Sequence, residues 1–394
     1  MLKMNEIDLS GKRVLIRVDL NVPMSNGIIE NDSRIKATIP TIKLALQSNC
    51  SIILMSHMGR PREGIFEEDF SLNLVAENLS SALRREVRFI SNWDNNFDIN
   101  NGDIVLMENV RFLKGEKNND PDLSKKMGEL CDIFVMDAFA SAHRSHASTC
   151  GVIEFAKIAC IGPLFSYELE SLQRIFSNPK RPLLAIVGGS KISTKLEVIT
   201  SLAKSVDYLI LGGGIANTVL KAMGYEIGSS LYEESMLVTA KLLSEDTANN
   251  CVIPEIFDVL VARKFSVESK AILKNIEDVS KDDLILDIGP KTVKKYEAII
   301  EKAATIIWNG PVGVFEFDEF SQGTKNITNA IMSSNGYSAA GGGDTIAAID
   351  KFDAADGISY ISTGGGAFLE FIENKTLPSA KALEIHGDKL EKGP

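Results

Sequence analysis

The chain has 394 residues, of which 44% are hydrophobic and 24% are charged, close to the averages for globular proteins. At roughly 150 residues per domain, this length predicts two or three domains, of which two is the simpler number. The net charge of −11 at pH 7 disfavours binding to nucleic acid or to an anionic membrane, because both depend on a positive field.

The N-terminal residues 1–11 alternate between charged and apolar types and lack the apolar stretch and cleavage site of a secretory signal. No apolar run along the chain approaches the ~20 residues that a membrane span requires. Five cysteines without a CxxC pair disfavour a disulfide framework and a zinc site, so we expect reduced thiols. These features predict a cytoplasmic protein with no membrane partner.

Short apolar runs bounded by turn residues recur along the chain, and helical patterns separate them. Such runs are typical of the buried strands of a parallel sheet. The intervening stripe of Ile192, Leu196, Ile199 and Ala203 predicts one apolar helix face. The alternation predicts an α/β fold of two doubly wound parallel-sheet, Rossmann-like domains. The predicted strands are 14–18, 52–55, 104–107, 133–136, 183–187, 208–211, 305–308 and 358–361.

Residues 162–177 are predicted to form one helix, with Pro163 near its start and Asn178-Pro179 ending it. We interpret this segment as a linking helix and hinge between the two sheets. The predicted division is a first domain of residues 1–161, a linking helix of 162–178 and a second domain of 179–379. The tail of residues 380–394 is expected to pack back on the first domain.

The ends of the predicted strands in the first half carry arginines, and 10 of the 13 arginines lie within the first 150 residues. In open α/β sheets, ligands bind beyond the carboxyl ends of the strands. A single arginine there would more often form a surface salt bridge, but recurrence at four strand ends predicts a site for a small, multiply anionic substrate. The segments are 17–21, 56–60, 108–111 and 142–144, with Arg34 in a fifth segment just before a helix.

Within these segments Asp19 and Asn21 are candidates to orient a substrate hydroxyl or the arginines themselves. His57, His143 and His146 are predicted to be structural or supporting residues rather than catalytic bases, because no cysteine or serine nucleophile accompanies them in a recognisable arrangement.

Glycine clusters follow the predicted strands of the second half, at 188–189, 212–214, 309–313, 341–345 and 362–366. Glycine lets backbone NH groups approach phosphate closely, and a helix that begins there adds its positive end. One glycine pair usually marks a tight turn, whereas five clusters at equivalent places predict a nucleotide site.

Lys191 and Lys195 are predicted to lie one turn apart on a helix that opens after Gly188-Gly189, where both could face the same phosphates. Asp344, next to Thr345, is the best candidate to hold the Mg²⁺ that accompanies ATP, and its alternative role is a helix N-cap. Glu316 is a candidate acceptor for a ribose hydroxyl.

Two standard nucleotide motifs are absent. Residues 184–191 read LAIVGGSK, which has no glycine at the first position of a GxxxxGK[ST] loop. Residues 212–217 read GGGIAN, with Asn217 where the dinucleotide pattern requires its third glycine. A P-loop NTPase and an ordinary NAD dehydrogenase are therefore disfavoured.

Ten collinear segments resemble the phosphoglycerate kinase family across nearly the whole chain. They are RVDLNVP (17–23), SHMGRP (56–61), ENVRF (108–112), DAFASAHRSHAS (137–148), VGGSKISTK (187–195), LGGGIANTVL (211–220), LDIGPKT (286–292), WNGPVGVFE (308–316), GGGDT (341–345) and STGGGA (362–367).

The resemblance implies reversible phosphoryl transfer from 1,3-bisphosphoglycerate to ADP, giving 3-phosphoglycerate and ATP, with Mg²⁺ as cofactor. It implies a substrate set of Asp19, Asn21, Arg34, His57, Arg60, Arg111 and Arg144. It implies a nucleotide set of Lys195, Gly212, Gly213, Asn309, Pro311, Val314, Glu316, Gly342, Gly343, Asp344 and Thr345.

We hypothesise direct in-line transfer, because phosphoryl transfer needs positioning and charge neutralisation more than a nucleophilic side chain. Arg34, Lys191 and the amides of residues 364–366, Gly365 among them, would stabilise the transferring group, while Lys195 and Mg²⁺ on Asp344 hold the nucleotide. Hinge closure would exclude water. We expect a monomer. The alternatives are a dehydrogenase acting on a phosphorylated acid and a catalytically silent nucleotide-binding protein.

Overall fold

The structure is a computed structural model that describes residues 1–25, 27–93, 97–177, 179–245 and 251–392. The chain divides into two compact units, one of residues 1–172 with 376–394 and one of residues 173–375. Residue 178 of the predicted linking helix and residues 393–394 of the predicted tail lie outside the described residues.

The first unit is built on a six-stranded parallel sheet in the order β5-β6-β4-β1-β7-β8. Its central strands are apolar and buried along their whole length, as expected for a sheet covered on both faces. The strands are β1 (Arg13–Arg17), β2 (Met24–Ser25), β3 (Ile28–Ile29), β4 (Ser51–Met55), β5 (Arg88–Ile90), β6 (Ile104–Met107), β7 (Ile133–Met136) and β8 (Ile158–Ile161), of which β2 and β3 form a separate hairpin.

Helices α1 (Ser33–Gln47), α2 (Asn73–Leu83), α3 (Pro121–Glu129) and α4 (Val152–Phe155) accompany this sheet. Helix α5 (Pro163–Ser177) follows β8 and begins within one residue of the predicted start. Its first turn is fixed by the buried Asp137, which accepts hydrogen bonds from the Phe165 backbone N–H (3.1 Å) and the Thr41 hydroxyl (2.5 Å).

The second unit contains a five-stranded parallel sheet in the order β10-β9-β14-β15-β16. A smaller antiparallel sheet, in the order β12-β11-β13, lies in the same unit. The strands are β9 (Leu183–Gly189), β10 (Tyr208–Gly212), β11 (Asp258–Ala262), β12 (Ile272–Asn275), β13 (Leu284–Ile288), β14 (Thr305–Asn309), β15 (Tyr337–Ala340) and β16 (Tyr360–Ile361).

Its helices are α6 (Leu196–Ala203), α7 (Gly213–Ala222), α8 (Leu237–Glu245), α9 (Pro290–Lys302), α10 (Gln322–Ser333), α11 (Gly343–Lys351) and α12 (Gly366–Asn374). Strands β9, β10, β14 and β15 are paired along most of their length, and the buried Trp308, Tyr296 and Ile306 belong to one core cluster of this unit. The predicted α/β class with two parallel sheets is confirmed. No helix in the described part of the chain has the length and apolar character to cross a membrane.

The C-terminal helix α13 (Pro378–Lys392) returns to the first unit. His386 Nε2 accepts a hydrogen bond from the Ala159 backbone N–H on β8 (3.2 Å), and the Ser379 N–H donates to the Ala142 carbonyl (3.1 Å). The helix therefore supports the loop that carries Arg144.

One local prediction is wrong. Helix α6 begins at Leu196, so Lys191, Ile192 and Lys195 lie in a preceding loop rather than one turn apart on a helix. The loop is tied to a distant part of the chain, because the Glu233 carboxylate accepts hydrogen bonds from the Ser193 N–H (2.8 Å) and hydroxyl (2.6 Å). This anchor competes with the helical hydrogen bonds that the apolar spacing predicts.

Candidate active site

The predicted substrate residues of the first unit follow four adjacent strands. Strand β1 leads to Asp19, β4 to His57, β6 to Arg111 and β7 to the loop of Arg144. Because these strands are parallel neighbours, their carboxyl ends share one edge of the sheet, which is where open α/β sheets bind ligands.

Asp19 and Arg34 form the one ion pair within this group. Asp19 is buried, and its Oδ2 accepts a hydrogen bond from Arg34 Nη1 at 2.8 Å, while Oδ1 accepts from the Asn21 backbone N–H at 3.2 Å. Arg34 is the second residue of α1 and keeps 36% of its side chain exposed. Its guanidinium is therefore held in place while remaining open to a ligand.

Arg111 is joined to the same edge through Gly59. Arg111 Nη1 donates to the Gly59 carbonyl, and Asn21 Oδ1 accepts from the Gly59 backbone N–H at 2.8 Å. The Nε of Arg111 is buried and has no hydrogen-bond partner among the residues that the structure describes. A buried donor without an acceptor is costly, so this position favours a bound anion.

Positive charge is uncompensated at this edge. Arg60, Arg111 and Arg144 have no carboxylate within 4.0 Å in the described ranges, and only Arg34 has one. Burial, and then the nearby Arg60, lower the pKa of Arg144. In a chain with a net charge of −11, such a local concentration of positive charge favours binding of a negative ligand.

His57 lies beneath these arginines, 4% exposed. Burial lowers its pKa well below the usual range, and repulsion from Arg17, Arg144 and Arg34 adds to the effect. A pKa this low makes the imidazole a weak base, which fits the prediction that His57 is not a catalytic base.

The strand ends of the second unit bring the glycine clusters together, but the glycines serve two purposes. A Cβ on Gly188 would overlap the Pro311 carbonyl oxygen, and a Cβ on Gly212 would lie 2.5 Å from Val312 Cα. These glycines are required by close packing of neighbouring loops. Both lie within strands, β9 and β10, so their small size serves this packing rather than a tight turn.

Gly343 and Gly365 differ from that group. A Cβ on either would meet no heavy atom within 4 Å, and Gly365 has φ +47°. These two glycines sit at the starts of α11 and α12, where unpaired helix N–H groups favour anions. The open space beside them is the feature expected of phosphate-binding glycines.

Lys195 is half-buried among backbone oxygens. Its Nζ donates to the Gly188 carbonyl (2.6 Å), Asn309 Oδ1 (2.6 Å) and the Asn309 carbonyl (3.3 Å). Burial lowers its pKa to about 8, although the carboxylate of Asp344 partly opposes that shift. The site thus holds an ammonium that has no carboxylate within 4.0 Å among the described residues.

This pKa predicts that nucleotide binding takes up protons. Near pH 8 the free protein holds Lys195 partly neutral, and the negative phosphates of ATP favour the charged form, so the pKa rises on binding. We expect uptake of up to about half a proton at pH 8, measured by titration calorimetry in buffers of different ionisation enthalpy.

Lys195→Met should abolish this uptake, while Lys204→Met, at the exposed far end of α6, should keep it. A wild-type binding enthalpy that is independent of the buffer would contradict the assignment.

A cavity of about 760 Å³ opens beside these strand ends. It is large enough for a nucleotide and is lined mainly by apolar side chains, with a few polar groups, as ligand sites usually are. Five predicted nucleotide residues line it: Gly213, Pro311, Val314, Glu316 and Asp344. The Glu316 carboxylate is exposed, and Lys351 Nζ donates to the Phe315 (2.9 Å) and Glu316 (3.4 Å) carbonyls, which fixes the loop.

Asn309 and Thr345 are buried and hold the strand ends together. Asn309 Nδ2 donates to the Gly341 carbonyl at 2.7 Å. The Thr345 hydroxyl accepts from the Gly310 N–H at 2.7 Å and donates to the Gly341 carbonyl at 2.9 Å. Their side chains therefore shape the site. Their predicted contacts with a nucleotide remain predictions, as do those of Gly212 and Gly342.

Asp344 lies in the first turn of α11, but the N-cap position belongs to Gly342. The capping alternative for Asp344 is thus wrong. Its carboxylate is exposed toward the cavity, a hard oxygen donor of the kind Mg²⁺ prefers. Within the described ranges no group of three or more His, Cys, Asp or Glu side chains could hold a metal. One carboxylate with nucleotide phosphates is a usual Mg²⁺ arrangement, so the residues fit this ion.

Comparison with known proteins agrees with this geometry. Residues 4–375 match a family model described as phosphoglycerate kinase. The solved structure of phosphoglycerate kinase from Coxiella burnetii is 51% identical with a TM-score of 0.94, over 98% of this chain and 99% of that one. Phosphoglycerate kinase from Pyrococcus horikoshii OT3 is 31% identical with a TM-score of 0.83, over 99% of this chain and 100% of that one.

Proposed function

The chain belongs to the phosphoglycerate kinase family, and from that premise we propose which of its residues bind each reactant of this phosphotransferase. The arginine cluster of the first unit binds 3-phosphoglycerate or 1,3-bisphosphoglycerate. The cavity of the second unit binds ATP or ADP. The observation that carries the proposal is the set of arginines without carboxylate partners, because such a set selects a small, multiply charged anion.

The substrate residues divide by their surroundings. Arg111 has a buried Nε without a hydrogen-bond partner in the described residues, so it is suited to bind the most deeply buried anionic group of the substrate. Arg60 is exposed and Arg144 half-buried, so both are able to approach the outer part of the ligand. Asp19 and Asn21 fix Arg34 and Gly59, and Asp19 is the acceptor available for a substrate hydroxyl.

The chemistry requires no general base in the direction of ATP use. The attacking group is the carboxylate of 3-phosphoglycerate, which is already ionised at neutral pH. Its oxygen forms a bond to the γ-phosphorus while the bond to the β-phosphate oxygen breaks, so no proton is moved. The protein positions the two groups and neutralises charge on the transferring phosphoryl group, with Arg34, Lys191 and the amide of Gly365 as its donors.

The nucleotide is held by Lys195 and by Mg²⁺ on Asp344. When bound, Mg²⁺ neutralises phosphate charge. Val314, Pro311 and Gly213 line the cavity beside the glycine turns, and Glu316 offers a carboxylate to a ribose hydroxyl. Closure of the protein on both ligands, a monomeric state and a cytoplasmic location stay predictions.

Asp344→Asn is expected to raise the Mg²⁺ concentration needed for half-maximal activity by about tenfold or more, because it removes an anionic oxygen ligand. The measurement is the initial rate at fixed ATP over a range of Mg²⁺ concentrations. Asp350→Asn, on an exposed position of the same helix, is the control. An unchanged Mg²⁺ requirement in Asp344→Asn would remove the residue from the metal site.

The proposed function as a whole is tested by turnover. We expect ATP consumption that depends on both 3-phosphoglycerate and Mg²⁺. Hydride transfer to NAD, or nucleotide binding without turnover, would favour one of the two alternatives named above.

A further inference from the structure

Arg17 is the arginine of the first strand-end segment, but the substrate set that the family resemblance implies does not include it. It ends strand β1 and is 2% exposed. Its Nη1 donates to the Val18 carbonyl at 2.6 Å and its Nε to the Ser148 hydroxyl at 3.1 Å. A guanidinium with this degree of burial needs a fixed set of acceptors and a compensating charge.

The compensating charge is Glu116, which is 1% exposed. Its Oε1 accepts from the Ser148 hydroxyl at 2.6 Å and its Oε2 from the Ser148 backbone N–H at 3.0 Å. Burial raises the pKa of Glu116, but the two donors from Ser148 and the charge of Arg17 oppose that shift and favour the ionised carboxylate. Ser148 accepts from Arg17 and donates to Glu116, so the three side chains form one directed chain of hydrogen bonds.

His146 also faces Glu116, with its Nδ1 3.7 Å from Oε1. Burial lowers the pKa of His146 to about 4, and Arg144 and Arg17 add to the shift, so His146 is neutral at pH 7. Glu116 therefore has Arg17 as its charged counterpart at neutral pH, through Ser148.

The chain of hydrogen bonds ends on His57. Arg17 Nη2 lies 3.1 Å from His57 Nδ1. An arginine nitrogen is always a donor, so Nδ1 must be the acceptor and cannot carry a proton. In a neutral imidazole the single proton is then on Nε2.

We propose that Glu116, Ser148 and Arg17 are positioning residues that hold His57 in its neutral Nε2–H tautomer, as a fixed hydrogen-bond donor to an anionic oxygen of the three-carbon substrate. This rests on the proposed function, which places that substrate beside Arg34 and Arg144. It assigns His57 a donor role in binding and none in proton transfer.

The charges around His57 act in the same direction. The nearby Arg17, Arg144 and Arg34 each disfavour a second proton on the ring, and His146, neutral at pH 7, brings no opposing charge. Protonation of His57 Nδ1 would also point its N–H at the N–H of Arg17 Nη2, and the hydrogen bond between the two nitrogens would be lost. The ring therefore stays a single donor through the pH range in which histidine usually titrates.

The test is nitrogen NMR of the full-length protein labelled with ¹⁵N-histidine, recorded without ligand. The protein has four histidines, and a His57→Gln sample assigns the His57 signals. We expect an unprotonated Nδ1 and a protonated Nε2 from about pH 6 to 8, with no titration. Adding 3-phosphoglycerate should shift the Nε2–H resonance and leave Nδ1 unprotonated.

Arg17→Lys keeps the charge, but its single nitrogen cannot reach the Val18 carbonyl, Ser148 and His57 Nδ1 in the fixed geometry of a guanidinium, so we expect a mixture of His57 tautomers. The KM for 3-phosphoglycerate should rise about tenfold, the effect of one misplaced charge-assisted hydrogen bond, with the KM for ATP unchanged. Ser148→Ala, a smaller change that breaks the link to Glu116, should shift the tautomer ratio in the same direction. Ser80→Ala, which removes a similar side-chain hydrogen bond on α2, should change neither.

A His57 that titrates between about pH 6 and 8, or that carries its proton on Nδ1, would overturn the proposal. So would a folded Arg17→Lys protein with unaltered ring signals. Because these spectra need no turnover, they separate this inference from the proposed function: predicted spectra without any 3-phosphoglycerate-dependent turnover would contradict the function alone.

Discussion

Arg34→Ala is expected to lower kcat by about 10³-fold, the effect typical of an arginine that stabilises a phosphoryl-transfer transition state. Arg34 is held by Asp19 at 2.8 Å yet keeps 36% of its side chain exposed, so its free donors face a ligand. The KM for ATP should stay within about twofold, because Arg34 belongs to the first unit and the proposed ATP site lies in the second.

The measurement is steady-state kinetics with each substrate varied in turn. Arg34→Lys should recover only a small part of the activity, because a lysine cannot make paired hydrogen bonds to two oxygens. Arg85→Ala removes an exposed arginine of the same unit and should behave like the wild type. A kcat lowered less than about threefold in Arg34→Ala, or an effect confined to ATP, would exclude the transition-state role.

Lys195→Met is the second change with a large expected effect, a fall in kcat/KM for ATP of about 10²- to 10³-fold. Lys195 is the ammonium placed among the Gly188 carbonyl and Asn309 oxygens, beside the open glycine turns. Methionine keeps the length and apolar contacts of the side chain but removes the positive charge that the nucleotide phosphates require.

Binding of 3-phosphoglycerate, followed by calorimetry, should be unchanged in Lys195→Met. Lys204→Met, at the exposed opposite end of α6, is the matched control. If Lys195→Met bound ATP as tightly as the wild type and turned over at a normal rate, the nucleotide site would have to be placed elsewhere.

Much of the fold follows from the sequence because the strands are continuous apolar runs. The observed bounds of β6 and β7 are those predicted, β4 and β14 differ by one residue at one end, and β1 is shifted by one residue. The clustering of the arginines could be predicted from the sequence, because the carboxyl ends of parallel strands lie at the same edge of a sheet. This rule needs only the strand order along the chain.

The small sheet of β11, β12 and β13 was not predicted. Strand β12 is largely exposed and carries lysine and asparagine, so it lacks the apolar run that marks the parallel strands. Strand β16 is shorter than predicted, with only Tyr360 and Ile361 paired to β15. Strand length at a sheet edge depends on a partner, which local apolarity does not reveal.

The site details that sequence missed depend on contacts between distant residues. The start of α6 is set by Glu233, 40 positions after Ser193, and the orientation of His57 by Ser148, 131 positions after Arg17. Likewise, Gly188 and Gly212, which allow close packing, cannot be told by sequence from Gly343 and Gly365, which lie beside open space. Only the surrounding atoms distinguish the two kinds of glycine. One signal was available: Arg17 is a charged residue that directly follows the apolar run of residues 14–16.

The most direct measurement is the rate at which the wild-type protein uses ATP with 3-phosphoglycerate, coupled to NADH oxidation by glyceraldehyde-3-phosphate dehydrogenase. We predict turnover that requires ATP, Mg²⁺ and 3-phosphoglycerate together and that is lost when any one of them is omitted. No turnover with all three present, in a folded protein that still binds ATP, would contradict the assignment of this chain as an active phosphotransferase.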